Sequence, residues 1–178
     1  MKKLTLFACI LFIAFHAPAQ DKQPSLKELL NHVVGGTWVS TNKENEGKPE
    51  DYKTFYMNFK NWADDNSVTG SIYGIMNNGD TTQLIEIWNF IDKSKNNLFY
   101  VNRTTGGWIG TGTITPYEGK HLNIQFKTRT DQGQEFYTRD LHYIEGPNKL
   151  KAVSQHKAKE EDNWGVEKIS VWERITND

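Results

Sequence analysis

Residues 54–91 read TFYMNFKNWADDNSVTGSIYGIMNNGDTTQLIEIWNFI, and their pattern decides the fold. Apolar and polar side chains alternate with a period of two, as in strands that bury one face. Two turn signals, Asp64-Asp65-Asn66 and Asn78-Gly79, divide the stretch into strands near 54–62, 67–75 and 82–91. As a two-residue type I′ loop, Asn78-Gly79 pairs Asn77 with Asp80, which sets Ile72 opposite Ile85 and Gly70 opposite Ile87. A turn centred on Asp64-Asp65 sets Phe59 opposite Gly70, Met57 opposite Ile72 and Phe55 opposite Gly74. One face thus collects Phe55, Met57, Phe59, Val68, Ile72, Ile85 and Ile87, with glycines across from large aromatics. The other carries Asn58, Lys60, Thr69, Ser71 and Glu86, together with Tyr73, Trp88 and Phe90.

The same alternation continues on both sides of this stretch. Further strands are expected near 36–41, 97–103, 108–115, 121–129, 135–144, 149–157 and 166–174, separated by Lys95-Asn96-Asn97, Glu118-Gly119, Asp131-Gln132-Gly133 and Gly146-Pro147-Asn148. So long an antiparallel meander closes or splits, because an open edge invites aggregation. A four-residue loop at 131–134 faces Phe126 to Arg139, Ile124 to Leu141 and Leu122 to Tyr143. A four-residue loop at 145–148 faces Tyr143 to Leu150, Leu141 to Ala152, Arg139 to Ser154 and Tyr137 to His156. For 108–115 two frames remain open: one turns Ile109 and Thr111 inward, the other Trp108 and Ile114. One helix precedes the strands. Pro24 and the capping box Ser25-Leu26-Lys27-Glu28 start it, Leu26, Leu29, Leu30, Val33 and Val34 form its apolar stripe, and Gly35 ends it. The fold class that follows is all-β: an antiparallel up-and-down barrel of eight to ten strands with one N-terminal helix.

The first residues read as a secretory signal. Lys2 and Lys3 precede the apolar run Leu4–Phe15, which is too short to span a bilayer, and Ala17-Pro18-Ala19 offers an A-x-A cleavage site. The expected division is a signal peptide over 1–19 and one barrel domain over 20–178, periplasmic or secreted. The single cysteine, Cys9, lies in the signal run, so the mature chain has neither a disulfide nor a thiolate ligand. Losing Lys2 and Lys3 from 21 basic residues against 22 acidic ones leaves a charge of about −3, without a basic block. That argues against nucleic acid as a partner. No second apolar run is long enough for a membrane helix.

Few residues stand out for chemistry. In the register above, Arg139 and His156 are the ionisable side chains on an otherwise apolar face, beside Tyr137 and Ser154. A buried guanidinium needs an anion or several acceptors: a ligand carboxylate, Glu167 or another internal acid. His156 reads as a hydrogen-bonded rim histidine, with haem or metal ligation the alternative. Asp140 and His142, at i and i+2, have metal-binding spacing, but this register turns them to solvent. Gly106-Gly107 with Gly110 and Gly112 fits close packing at a bend better than a phosphate loop, since no helix follows. Neither G-x-S-x-G nor H-E-x-x-H occurs.

Gly36-Thr37-Trp38, a G-x-W just after a short helix, and Arg174 near the end of the last strand resemble the calycin superfamily of lipocalins and fatty-acid-binding proteins. The resemblance covers the plan of residues 25–175. It implies that Trp38 plugs the closed end of the barrel while Arg174 crosses its ring and bonds to backbone near the helix. It also implies a function of binding small lipophilic molecules. Two family features are missing: an Arg-x-Tyr on the last strand, where the chain has Arg174-Ile175-Thr176, and a helical lid, for which Thr41–Tyr52 is too short.

The function expected is therefore binding of a small, mostly apolar ligand without a resident cofactor. Arg139, Tyr137, Ser154, His156, Phe126, Phe55 and Met57 would line the site, and Arg139 would receive an acidic group. Two alternatives stand beside it. One is an isomerase or hydrolase using the same cavity; the other is a partner- or glycan-binding module using Tyr73, Trp88 and Phe90.

Overall fold

The computed structural model describes residues 24–41, 51–62, 66–92 and 97–175. The segment expected to be a signal peptide, Cys9, the turn residues Asp64 and Asp65, Lys95 and Asn96, and most of the Thr41–Tyr52 stretch lie outside the described residues. Helix α1 (Leu26–Asn31) is followed by ten strands: β1 (Thr37–Thr41), β2 (Tyr52–Asn61), β3 (Ser67–Met76), β4 (Thr81–Asp92), β5 (Asn97–Thr104), β6 (Ile109–Tyr117), β7 (His121–Arg129), β8 (Glu135–Gly146), β9 (Lys149–Lys157) and β10 (Lys168–Ile175). Each strand pairs antiparallel with the next, and β1 pairs with β10 as well as β2, so the barrel closes without a free edge.

Helix α1 is started by its capping box. The Glu28 amide donates to Ser25 Oγ (3.2 Å), and the Ser25 amide donates to Glu28 Oε2 (2.6 Å). Leu26, Leu29, Leu30 and Val33 are buried against one end of the barrel. There they meet Trp38, Leu98, Ile114, Leu122 and Leu150, which are almost free of solvent contact. The Trp38 indole N–H donates to the Val33 carbonyl (3.0 Å). The Arg174 guanidinium lies 4.5 Å from the centre of the Trp38 ring and donates to the His32 carbonyl at the helix end. Gly36 is required between these parts: its φ is +69°, and a Cβ there would stand 3.0 Å from Arg174 Cγ.

The registers of β2, β3 and β4 agree with the sequence. Phe59 faces Gly70, Met57 faces Ile72, Phe55 faces Gly74, and Ile72 faces Ile85. The turn between β3 and β4 differs from the type I′ loop expected. Only Gly79 is left-handed (φ +92°), and the Met76 amide donates to the Asp80 carbonyl (2.9 Å), giving a loop of three residues. A bulge between Ile72 and Tyr73 absorbs the extra residue, so the register beyond it is the one expected. In β6, Ile114 is buried while Ile109 and Thr111 are exposed, which selects the second frame, although its other inward residue, Trp108, is left exposed with its ring edge-on to Phe136.

Strand β8 overturns the expected register. The Thr130 amide donates to the Gln134 carbonyl (2.8 Å) and Gly133 has φ +80°, so this turn also has three residues, not four. No bulge follows. Phe126 faces Thr138, not Arg139, and Ile124 faces Asp140, not Leu141. The next turn compensates, with Ile144 opposite Leu150 and Asp140 opposite Ser154. Strand β9 therefore keeps its expected face, with Ala152 and Ser154 inward, while β8 alone is rotated by half a turn.

Candidate functional site: a polar wall in the barrel

A cavity of about 230 Å³ runs from Leu30 and Val33 of the helix toward mid-barrel. Most of its wall is apolar, with Met57, Ile72, Ile85, Ile87, Ile124 and Phe126 among the lining residues. Polar side chains enter from several strands: Asn89 from β4, Tyr100 and Asn102 from β5, Asp140 and His142 from β8, Ser154 from β9 and Ser170 from β10.

The inward turn of Asp140 and His142 follows from the three-residue loop before β8. His142 is surrounded by protein and keeps its free surface toward the cavity. Burial holds its imidazole below the ordinary histidine pKa, and the nearby Asp140 carboxylate opposes that shift only in part. Burial pushes the Tyr100 phenol well above its ordinary pKa; the hydrogen bond from Asn102 Nδ2 to Tyr100 Oη (2.9 Å) works against this and the Asp140 charge adds to it. Tyr100 thus stays a neutral phenol, and its ring lies 4.9 Å from that of Phe126. The Trp172 indole donates to Ser170 Oγ (3.0 Å). Three buried oxygens of this wall, Asn89 Oδ1, Asn102 Oδ1 and Asp140 Oδ1, have no hydrogen-bond partner among the described residues. All three are acceptors. Among the lining residues Asp140 and His142 are the ionisable types suited to a metal, and among the described residues no group of three such side chains comes together.

Of the residues expected to bind ligand, Ser154, Phe126 and Met57 line the cavity. Phe55 packs against the core nearer the other end of the barrel, its ring 5.7 Å from that of Tyr52. His156 stands exposed at the rim, its Nδ1 2.9 Å from Thr138 Oγ1 and its ring edge-on to Phe136. Arg139 and Tyr137 are on the outer wall, a correction that follows from the reversed face of β8. There the guanidinium lies 4.9 Å from the Trp164 ring and donates to Gln155 Oε1, which takes the place expected for Glu167. Tyr137 sits between the ammonium groups of Lys127 and Lys157, each 5.7 Å from its ring. Tyr73, Trp88 and Phe90 lie on the outside, half-buried, with Trp62 packed edge-on to Phe90.

Sequence reasoning missed Asn89, Tyr100, Asn102, Ser170 and Trp172. Asn89 was readable in principle, because it continues the inward series Ile85, Ile87. No protein-family model matches the chain, and no curated protein sequence is significantly similar to it.

Proposed function

We propose that this protein is an exported, calycin-like binding protein that holds one small, mostly apolar molecule inside its barrel. The observation that carries the reading is the apolar cavity of about 230 Å³ with polar groups gathered from β4, β5, β8, β9 and β10. Its volume is about one and a half times the ~150 Å³ apolar cavity that accommodates benzene, which suits a ligand of one or two rings. Trp38, fully buried beneath Arg174, supports the calycin resemblance, and the lysine-flanked apolar leader supports export. The polar contacts of the ligand fall to Asn89, Asn102, Asp140 and His142, not to Arg139.

Ligand-observed NMR with toluene and indole tests the reading. Binding is expected in the wild-type protein and loss of binding in Ala152→Phe, which fills the cavity from β9. Failure of wild-type protein to bind any such probe overturns it. A second reading, a cavity-based isomerase, is favoured by one observation: a buried imidazole kept neutral stands near a carboxylate and a phenol.

A further inference from the structure

The cavity wall is one-sided in its unpartnered buried atoms, which among the described residues are all acceptors. Its unpartnered buried oxygens belong to Asn89, Asn102 and Asp140, and the first two residues are 3% and 4% exposed. The amide nitrogen of Asn102 already donates to Tyr100, and the atom of that side chain without a partner is its oxygen. Among the described residues neither lysine nor arginine lines the cavity. The cationic groups nearest in sequence, Arg139 and Lys151, occupy the outer wall, where they lie against Trp164 and Tyr143. A carboxylate within protein is stable when a cation or several donors meet it, and among the described residues none donates to Asp140 Oδ1.

We propose that the ligand carries a protonated amine, which pairs with the Asp140 carboxylate while its apolar body fills the space toward the helix. This rests on the binding reading above and names the chemical class bound. An ammonium group has three donors and no acceptor, the complement of a wall whose unpartnered buried atoms are acceptors. The faces of Tyr100 and Phe126 add the aromatic surface that attracts an organic cation. A carboxylic acid would meet Asp140 with like charge, so a fatty acid is the wrong ligand for this interior. The cavity volume restricts the amine to a small arylalkyl or short alkyl type.

Titration calorimetry on the mature protein at pH 8 with 2-phenylethylamine, 2-phenylethanol and phenylacetate tests the assignment, because the three share one body and differ in the head group. The amine is expected to bind at least tenfold more tightly than the alcohol, and phenylacetate most weakly. Asp140→Asn should lower amine affinity on the order of 30-fold or more, the usual result of removing one partner of a buried charge pair. Asp140→Glu, which retains the charge, should keep the order of the three probes. If the alcohol binds and the amine binds no tighter, or if phenylacetate binds best, the ammonium assignment is wrong and the cavity reading stands. The assignment is equally wrong if Asp140→Asn leaves the amine preference unchanged. If none of the three binds, both fall. The ranking on wild-type protein decides the matter even if a variant does not fold.

Discussion

Replacing Gly70 by alanine should destabilise the protein, and removing the Phe59 ring should shrink that effect. A Cβ built on Gly70 would stand 2.2 Å from Phe59 Cδ1 and 2.3 Å from Cε1. Comfortable carbon contacts begin near ~3.5 Å, so the ring has to move by more than about 1 Å within a core where Phe59 is 9% exposed. Overpacking of that kind costs about 1–3 kcal/mol. Against it stands the gain from replacing glycine in a regular element, about 0.5–1 kcal/mol. The net expectation for Gly70→Ala is a loss of up to about 2.5 kcal/mol. Phe59→Val removes both clashing atoms, at about 2–3 kcal/mol for the lost burial. In that background only the 2.9 Å approach of the new Cβ to the Asn58 carbonyl oxygen remains, so Gly70→Ala should cost less than in the wild type, a coupling of about 1–2 kcal/mol. Urea denaturation of the four proteins in a double-mutant cycle measures it. Additivity within about 0.5 kcal/mol would mean that the ring does not lie over Gly70, and the register of β2 on β3 would be wrong.

Arg174→Ala removes a stack on Trp38 and a charged hydrogen bond to the His32 carbonyl, so about 2–4 kcal/mol should be lost in urea unfolding, with Arg174→Lys intermediate. Arg139→Ala should change the affinity of any cavity ligand by less than about twofold in calorimetry, since its guanidinium lies under Trp164 on the outer wall. His32, His121 and His142 all have pKa values lowered mainly by burial, so the unfolded chain binds the extra protons first. Stability should be complete above the unfolded value near 6.5 and fall as pH drops from there toward the folded values. His142 contributes at most about 1.4 kcal/mol per pH unit, and His142→Gln should flatten the slope in pH-dependent urea melts.

The architecture was legible because inward and outward residues alternate so regularly that strand limits and the β2–β3–β4 pairings follow from period and turn chemistry. The G-x-W and Arg174 likewise foretold the plugged end of the barrel. The binding wall was not legible, for a local reason. Residues 131–134 can be read as a loop of four or of three, and the choice decides which face of β8 points inward. Tyr137, Leu141 and Tyr143 make one face the greasier, which favoured the wrong frame. The chain covers that face from outside instead: Leu141 is 8% exposed, and Trp164 lies over Arg139. The better signal was Gly133, whose third position in a three-residue loop takes the left-handed conformation that Gly79 takes in the earlier hairpin.

Because the turns on either side of β8 offset one another, that stave behaves like a reversible panel. Lengthening the first turn by a residue and adjusting the second to match would swap Asp140 and His142 for Arg139 and Leu141 at the lumen, with every other stave left as it is. A lineage carrying this scaffold could thereby exchange an acidic interior for a basic one through two small length changes, without redesigning a single lining position elsewhere.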